Sequence, residues 1–223
     1  MIITIGGQKG GSGKSCLAQN LAVALQRAGE QVMLIDADPQ QTSADWAEQR
    51  HENGKVEPID CQAMTGDISK TALALASTGR TLIIDCGGRD TKELRSALVI
   101  ADIALVPTRP KRRDLKTLDY VSDLVEKSRL VNPDLIARVV VSQAPSLPSQ
   151  VQRILDSKAV ADQFGLPALD PVIFSRNVYD DAEEAGLSVF EASDEKAIVE
   201  IEAIRESLND LRKMINGSFE EMK

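Results

Sequence analysis

The chain has 223 residues, 43% hydrophobic but only 3% aromatic. That length suits one domain with an aliphatic core of Val, Ile, Leu and Ala, large enough to need neither a disulfide nor a structural metal. The 34 acidic and 26 basic residues leave a net charge of −8, which excludes a uniformly polyanion-coated surface but not a local basic patch. Three cysteines (Cys16, Cys61, Cys86) without C-x-x-C spacing suit a reducing cytosol, and the single histidine, His51, excludes a multi-histidine zinc site. The apolar start Met1–Gly6 is too short for a signal peptide, and no later run approaches ~18 apolar residues, so the expectation is a cytoplasmic protein.

In chain order, Ile2 to Ile5 reads as a short strand followed by a glycine-rich turn. A helix from Ser15 to Ala28 sets Leu17, Leu21, Ala24, Leu25 and Ala28 on one face and stops at Gly29. Val32 to Ile35 is a buried strand ending in Asp36; residues 50–68 read as polar and irregular, with a weak helix over Ile68 to Ala76. Strands follow at Thr81 to Asp85 and Ile103 to Pro107. Asp114 is placed to cap a helix running to about Leu130, with Leu118, Val121, Leu124 and Val125 inward. Ala137 to Ser142 is a strand, Ser149 to Phe164 a helix, and Pro171 to Phe174 a last short strand. The tail from Asp194 to Ile215 is an amphipathic helix with Ile198, Ile201, Ile204, Leu208, Leu211 and Ile215 at helical spacing. Aliphatic strands alternating with helices predict an α/β fold: a doubly wound, mostly parallel sheet covered on both faces. Right-handed crossovers then place any ligand at the carboxyl ends of the strands. No repeat, low-complexity segment or linker divides residues 1–223, which read as one domain.

The stretch Gly6-Gly7-Gln8-Lys9-Gly10-Gly11-Ser12-Gly13-Lys14-Ser15 lies between the first strand and the first helix. Glycines let successive backbone N–H groups converge on a phosphate, and the helix N-terminus adds partial positive charge. Lys14 would reach the β- and γ-phosphates of a nucleotide, and the Ser15 hydroxyl would bind Mg²⁺. The competing reading is a tight strand–helix turn that needs glycine. Asp85 ends a strand beside the phosphates, where a carboxylate can hold Mg²⁺ through water, and Asp36 can do the same from the next strand. Asp36 and Asp38 have a competing reading as turn or helix-capping acids.

The usual G-x-x-x-x-G-K-[ST] pattern fails at its first position, which is Gln8; Lys9-Gly10-Gly11-Ser12-Gly13-Lys14-Ser15 stands instead. This resembles the deviant Walker A motif of the ParA/MinD family of P-loop ATPases. Leu34-Ile35-Asp36-Ala37-Asp38-Pro39-Gln40 is similar to that family's second motif, and Leu82-Ile83-Ile84-Asp85 to its Walker B strand. Val106-Pro107-Thr108-Arg109-Pro110 and Ile173-Phe174-Ser175-Arg176-Asn177-Val178 resemble later family segments. The resemblance implies an ATPase that uses ATP and Mg²⁺ and forms an ATP-sandwich homodimer. In it Asp38 would orient or deprotonate the attacking water, and Lys9 would reach across to the partner's phosphates. Two departures stand out: Cys16, needed only for its backbone amide, replaces a common threonine, and Cys86-Gly87-Gly88-Arg89 replaces a Thr-Pro-Pro-like turn. Cys86 reads as a buried small residue.

Five of the 26 basic residues fall within Arg109–Lys116. The plain reading is a solvated charge run. The alternative puts the cluster, with Lys111, Arg112 and Arg113 as its candidates, on DNA phosphates; four or five charges so engaged would make affinity fall at a log–log salt slope of about −4. Arg176 is a further candidate for nucleotide or DNA, because relatives carry basic residues in that region. The short chain is most like small plasmid-partition ATPases, which implies a ParB-like partner, non-specific duplex DNA and nucleoid association in the ATP state, or a further polymer. Carboxysome- and chemotaxis-cluster-positioning relatives share the motifs. A MinD-like membrane ATPase is the other alternative; the polar, acidic segment Asn216–Lys223 does not suit binding to anionic lipid, so no membrane partner is expected.

Overall fold

A computed structural model describes the backbone of residues 1–220 and the side chains of residues 1–215; the acidic segment Asn216–Lys223 therefore lies outside the residues whose side chains are described. Seven strands form one sheet in the order β3-β2-β4-β1-β5-β6-β7, and every pairing is parallel. The strands are β1 (Ile2–Ile5), β2 (Val32–Ala37), β3 (Asp60–Ala63), β4 (Thr81–Cys86), β5 (Ile103–Thr108), β6 (Ile136–Ala144) and β7 (Ala168–Phe174). The helices are α1 (Lys14–Arg27), α2 (Thr42–Asn53), α3 (Ser69–Ala76), α4 (Lys92–Leu98), α5 (Arg112–Leu115), α6 (Leu118–Arg129), α7 (Val151–Gln163), α8 (Asn177–Glu184) and α9 (Glu195–Glu220).

Side chains alternate across the strands with period two, so two apolar layers form. Ile3, Ile5, Leu34 and Ile83 face a layer built with α1, α2, α8 and α9, while Ile2, Ile35, Leu82 and Ile84 face one built with α3, α4, α6 and α7. Each fully buried Leu or Ile contributes roughly 1.5–3 kcal/mol relative to exposure, so continuous aliphatic strands covered twice supply most of the core, with Trp46 and Tyr179 its buried aromatics on the first face. In α1, Leu17, Leu21, Ala24 and Leu25 are buried, but Ala28 is the exposed C-cap and Gly29 follows it at φ +90°, a left-handed turn that glycine adopts without strain.

Several boundaries differ from the sequence expectation. Residues 50–68 are not irregular throughout: α2 reaches Asn53, and Asp60–Ala63 is an edge strand paired only with β2. The apolar face of α2 carries few aliphatics because buried Trp46 and Arg50 fill it, with Arg50 paired to Glu191 at 2.8 Å and its guanidinium 5.3 Å from the Trp46 ring. Helices α2, α4 and α8 have no counterpart in the sequence expectation. The helix expected from Asp114 to Leu130 is broken between α5 and α6, and Asp114 does not cap it; its carboxylate is turned to Arg109 instead. A 3₁₀ turn, Pro148–Gln150, precedes α7, and β6 and β7 extend beyond their expected limits.

The topology gathers the loops that matter. β1 is central, with β4 on one side and β5 on the other, and Ile5 and Asp36 both lie opposite Asp85 in register. The glycine loop, Asp36, Asp85, Arg109 and the end of β7 all emerge at the carboxyl edge of the sheet.

Candidate nucleotide site

A cavity of about 490 Å³ opens at that edge, lined by Gly10, Gly11, Gly13, Lys14, Ser15, Cys16, Asp38 and Gly88 at one end and by Phe174, Arg176, Tyr179, Asp180 and Glu183 at the other. The loop that forms its floor is held by its own backbone. Gly11 and Gly13 have φ of +66° and +81°, and the Lys9 carbonyl accepts from Lys14 Nζ at 3.0 Å and from Ser12 Oγ at 3.3 Å. Ser142 Oγ from β6 donates to the Ser12 carbonyl at 2.8 Å, clamping the loop to the sheet. Lys14 is buried, which lowers its pKa, while the negative charges of Asp85 and Asp38 oppose that shift. The Lys9 side chain is exposed.

The two acids at the strand ends differ. Asp36 Oδ1 accepts the Asp38 N–H at 3.0 Å and Oδ2 the Ala44 N–H at 2.8 Å, the turn-and-cap role that competes with metal binding in the sequence. Burial raises its pKa, opposed by those backbone donors. Asp85 is 1% exposed; its Oδ2 accepts from Ser43 Oγ at 2.8 Å, but its buried Oδ1 has no hydrogen-bond partner. Burial pushes its carboxyl up to about 7 against the influence of the Ser15 and Ser43 hydroxyls, with Asp36 adding to the rise and Lys14 opposing it. An orphaned carboxylate oxygen beside a serine hydroxyl fits Mg²⁺, which binds through one or two carboxylates plus phosphates and keeps several waters. Among the described residues no cluster of three or more His, Cys, Asp or Glu forms an all-protein metal cage. Burial also raises the thiol pKa values of Cys16, Cys61 and Cys86, that of Cys61 to about 12, so none is a ready nucleophile.

Asp38 reaches the same space from the loop after β2, with Oδ1 accepting the Gln40 N–H at 3.0 Å. The Cys86-Gly87-Gly88 departure has a steric reason here. A Cβ on Gly87 would stand 3.2 Å from Asp38 Oδ2, and one on Gly88 would stand 2.7 Å from the Gly10 nitrogen. The turn after β4 thus packs directly on both the phosphate loop and Asp38, with no room for a side chain at Gly88.

Arg176 lines the far wall, but its charge is matched: Nη2 lies 2.6 Å and Nε 2.8 Å from Glu200 Oε1, and the guanidinium is 5.7 Å from the Phe174 ring. Glu200 Oε2 accepts the Tyr179 hydroxyl at 2.9 Å and the Phe174 N–H at 3.1 Å. Lys111, Arg112 and Arg113 are exposed on the turn of α5. Tyr179, Glu183 and Gln143, which also lines the cavity, escape sequence reasoning, as does Glu200. Glu200 lies on α9 and contributes from outside the cavity lining.

A glycine loop joining the central strand of an all-parallel sheet to a helix, with an acid at the end of the adjacent strand, defines a P-loop nucleotide-binding protein. The CobQ/CobB/MinD/ParA nucleotide-binding domain family matches residues 3–189, and the chain belongs to that family. It is 26% identical over 191 residues to the maintenance of carboxysome distribution protein A of Halothiobacillus neapolitanus, covering 85% of this chain and 86% of the relative. It is 26% identical over 182 residues to the protein ParA of Rhizobium radiobacter, covering 80% of each. The ATP complex of a Cyanothece McdA variant superposes with a TM-score of 0.71 at 18% identity, covering 93% of this chain and 96% of that one.

Proposed function

We propose that residues 1–223 act as one ATP-driven switch of the ParA type, hydrolysing ATP with Mg²⁺ and dimerising around the nucleotide. The observation that carries this reading is the buried Asp85 carboxylate, with Oδ1 unpartnered and the Ser15 hydroxyl acting on the same group, next to a cavity that Lys14 and Ser15 line. Gly10, Gly11, Ser12, Gly13 and Cys16 offer backbone N–H groups to the phosphates, and Lys14 neutralises the β/γ oxygens. Ser15 and Asp85, with Asp36 through water, would hold Mg²⁺, which would supply neutralising charge to the phosphates. Asp38 acts on the attacking water. Lys9, with its carbonyl fixed and its side chain in solvent, reaches the partner's phosphates as a lysine counterpart of an arginine finger. Arg176 packs along the nucleotide rather than acting as a surface cation.

The switch is read by a ParB-like adaptor that stimulates hydrolysis, and the ATP dimer binds duplex DNA without sequence preference through Lys111, Arg112 and Arg113 from both subunits. The setting is a cytoplasmic, nucleoid-associated protein that segregates a plasmid or chromosome. A second reading, the positioning of a carboxysome-like cargo, is favoured by the 26% identity to a carboxysome distribution protein over 85% of this chain. Sedimentation with ATP tests the switch: Asp38→Ala keeps ATP and the dimer while losing hydrolysis, and Lys9→Ala loses hydrolysis without losing the nucleotide. An Asp38→Ala chain that stays monomeric with ATP contradicts the role given to that carboxylate. Removing Lys111, Arg112 and Arg113 together takes away six cations per dimer and flattens the salt dependence of DNA binding by about 5 in log–log slope, with turnover in the absence of DNA unchanged.

A further inference from the structure

Arg109 leaves the carboxyl end of β5 and turns in toward the phosphate loop, whereas Lys111, Arg112 and Arg113 stay exposed. Its Nε donates to a carboxylate oxygen of Asp114, a residue 2% exposed, and the Arg109 side chain itself is 20% exposed. The anchor depends on the broken helix. The short α5 turn, closed by the Asp114 N–H on the Lys111 carbonyl at 2.8 Å and the Thr117 hydroxyl on the Asp114 carbonyl at 2.7 Å, holds Asp114 under Arg109 instead of at a helix cap.

The other end of the guanidinium faces the P-loop. A Cβ on Gly11 would stand 3.8 Å from Arg109 Nη1, so the guanidinium lies about one side-chain atom away from the Gly11 backbone. Among the described residues, Arg109 has no acceptor for its Nη groups; its one side-chain hydrogen bond is the Nε bond to Asp114. A guanidinium fixed at one edge and unmatched at the other presents a rigid fork, which suits a phosphate oxygen better than a flexible lysine does. Arg176 shows the opposite arrangement, with its fork closed on Glu200.

We propose that Arg109 is a further cation, beside Lys14 and the Lys9 of a second copy, for the phosphate chain of a nucleotide seated on the P-loop, and that Asp114 is its positioning residue. The proposal rests on the ATP reading above. Equilibrium binding of ATP, ADP and AMP to the parent chain and to Arg109→Gln, Arg109→Lys, Asp114→Asn and Lys14→Ala tests both and separates them. Loss of one charge-assisted contact weakens ATP binding roughly tenfold or more in Arg109→Gln, with AMP affected least. Arg109→Lys recovers part of the loss, and Asp114→Asn falls between parent and Arg109→Gln. Parent-like ATP affinity in Arg109→Gln overturns the proposal while leaving the ATP reading intact. Equal weakening of ATP, ADP and AMP with a lowered unfolding temperature also overturns it, because Arg109 is then a strut for α5. A parent chain that binds no ATP, or a Lys14→Ala chain that binds it as well as the parent, overturns both.

Discussion

At its P-loop end the nucleotide cavity is made of backbone, and at its α8 end of side chains. The first is nearly contiguous: residues 9–15 with two left-handed glycines, met by the Gly87-Gly88 turn. The second is assembled from β7, α8 and α9, where Glu200 alone ties Arg176, Tyr179 and the Phe174 N–H. A chain of buried and part-buried polar contacts joins the two. Ser43 Oγ donates to Asp85, and Gln19 Nε2 reaches Ser43 Oγ at 3.5 Å and Glu183 at 3.1 Å. Backbone recognition needs particular φ angles and missing Cβ atoms, so it fails abruptly when a side chain is added. Recognition by charged side chains fails by degrees, because partners can be replaced or screened.

The largest effect is therefore expected at Gly88. In Gly88→Ala the new Cβ meets the Gly10 nitrogen at 2.7 Å and its Cα at 2.9 Å, and backbone cannot swing aside as a side chain end can. Overpacking of this kind costs about 1–3 kcal/mol, and here it displaces the phosphate-binding amides. ATP affinity should fall by roughly 100-fold, more than the stability loss alone would suggest, measured by titration beside thermal unfolding. A Gly88→Ala chain with parent affinity would mean that the turn after β4 does not brace the loop.

The same contrast explains what can be read from the sequence. The glycine loop, the strand ends Asp36 and Asp85, and the alternation of aliphatic strands with helices are local patterns, and the sheet follows from them. Asp114 misleads because an acid before an apolar helical run has the composition of a cap, while its partner Arg109 is chosen by the inward turn of α5. Helix α2 is hard to see because Trp46 and the ion-paired Arg50 occupy positions where aliphatics are expected. The edge strand β3, with three of its four residues exposed, lacks the apolar signal that marks the other strands. Arg176 stands out by resemblance, but no short-range pattern connects it to Glu200, 24 residues later.

At the α8 end, Glu200→Gln is the sharper test of graded failure. The amide keeps the carboxylate's shape and one acceptor oxygen but loses its charge beside Arg176, which is 23% exposed. A charge-assisted hydrogen bond contributes about 1.5–3 kcal/mol, so the fold loses a part of that, and nucleotide affinity drops several-fold rather than 100-fold. Arg176→Lys should add little to Glu200→Gln, since both act on one contact. A Glu200→Gln chain that loses nucleotide as completely as Gly88→Ala would erase the distinction between the two ends.

The smallest effect is expected at Glu183, which burial holds above the ordinary carboxyl pKa; the Gln19 hydrogen bond opposes the shift and nearby Asp180 adds to it. A carboxyl raised in the folded chain keeps its proton while its unfolded counterpart has lost it. Stability therefore falls as pH rises from the unfolded value, about 4.3, and levels off above the raised folded value. Glu183→Gln removes that slope while its amide oxygen still accepts from Gln19 Nε2, now 3.1 Å from the carboxylate. Thermal unfolding of both chains across this pH range should show the variant gaining on the parent as pH rises to neutrality, with the least difference in acid. If the parent's melting temperature is flat over that window, Glu183 is not held in the protonated form by burial, and the α8 end of the cavity is wetter than its geometry implies.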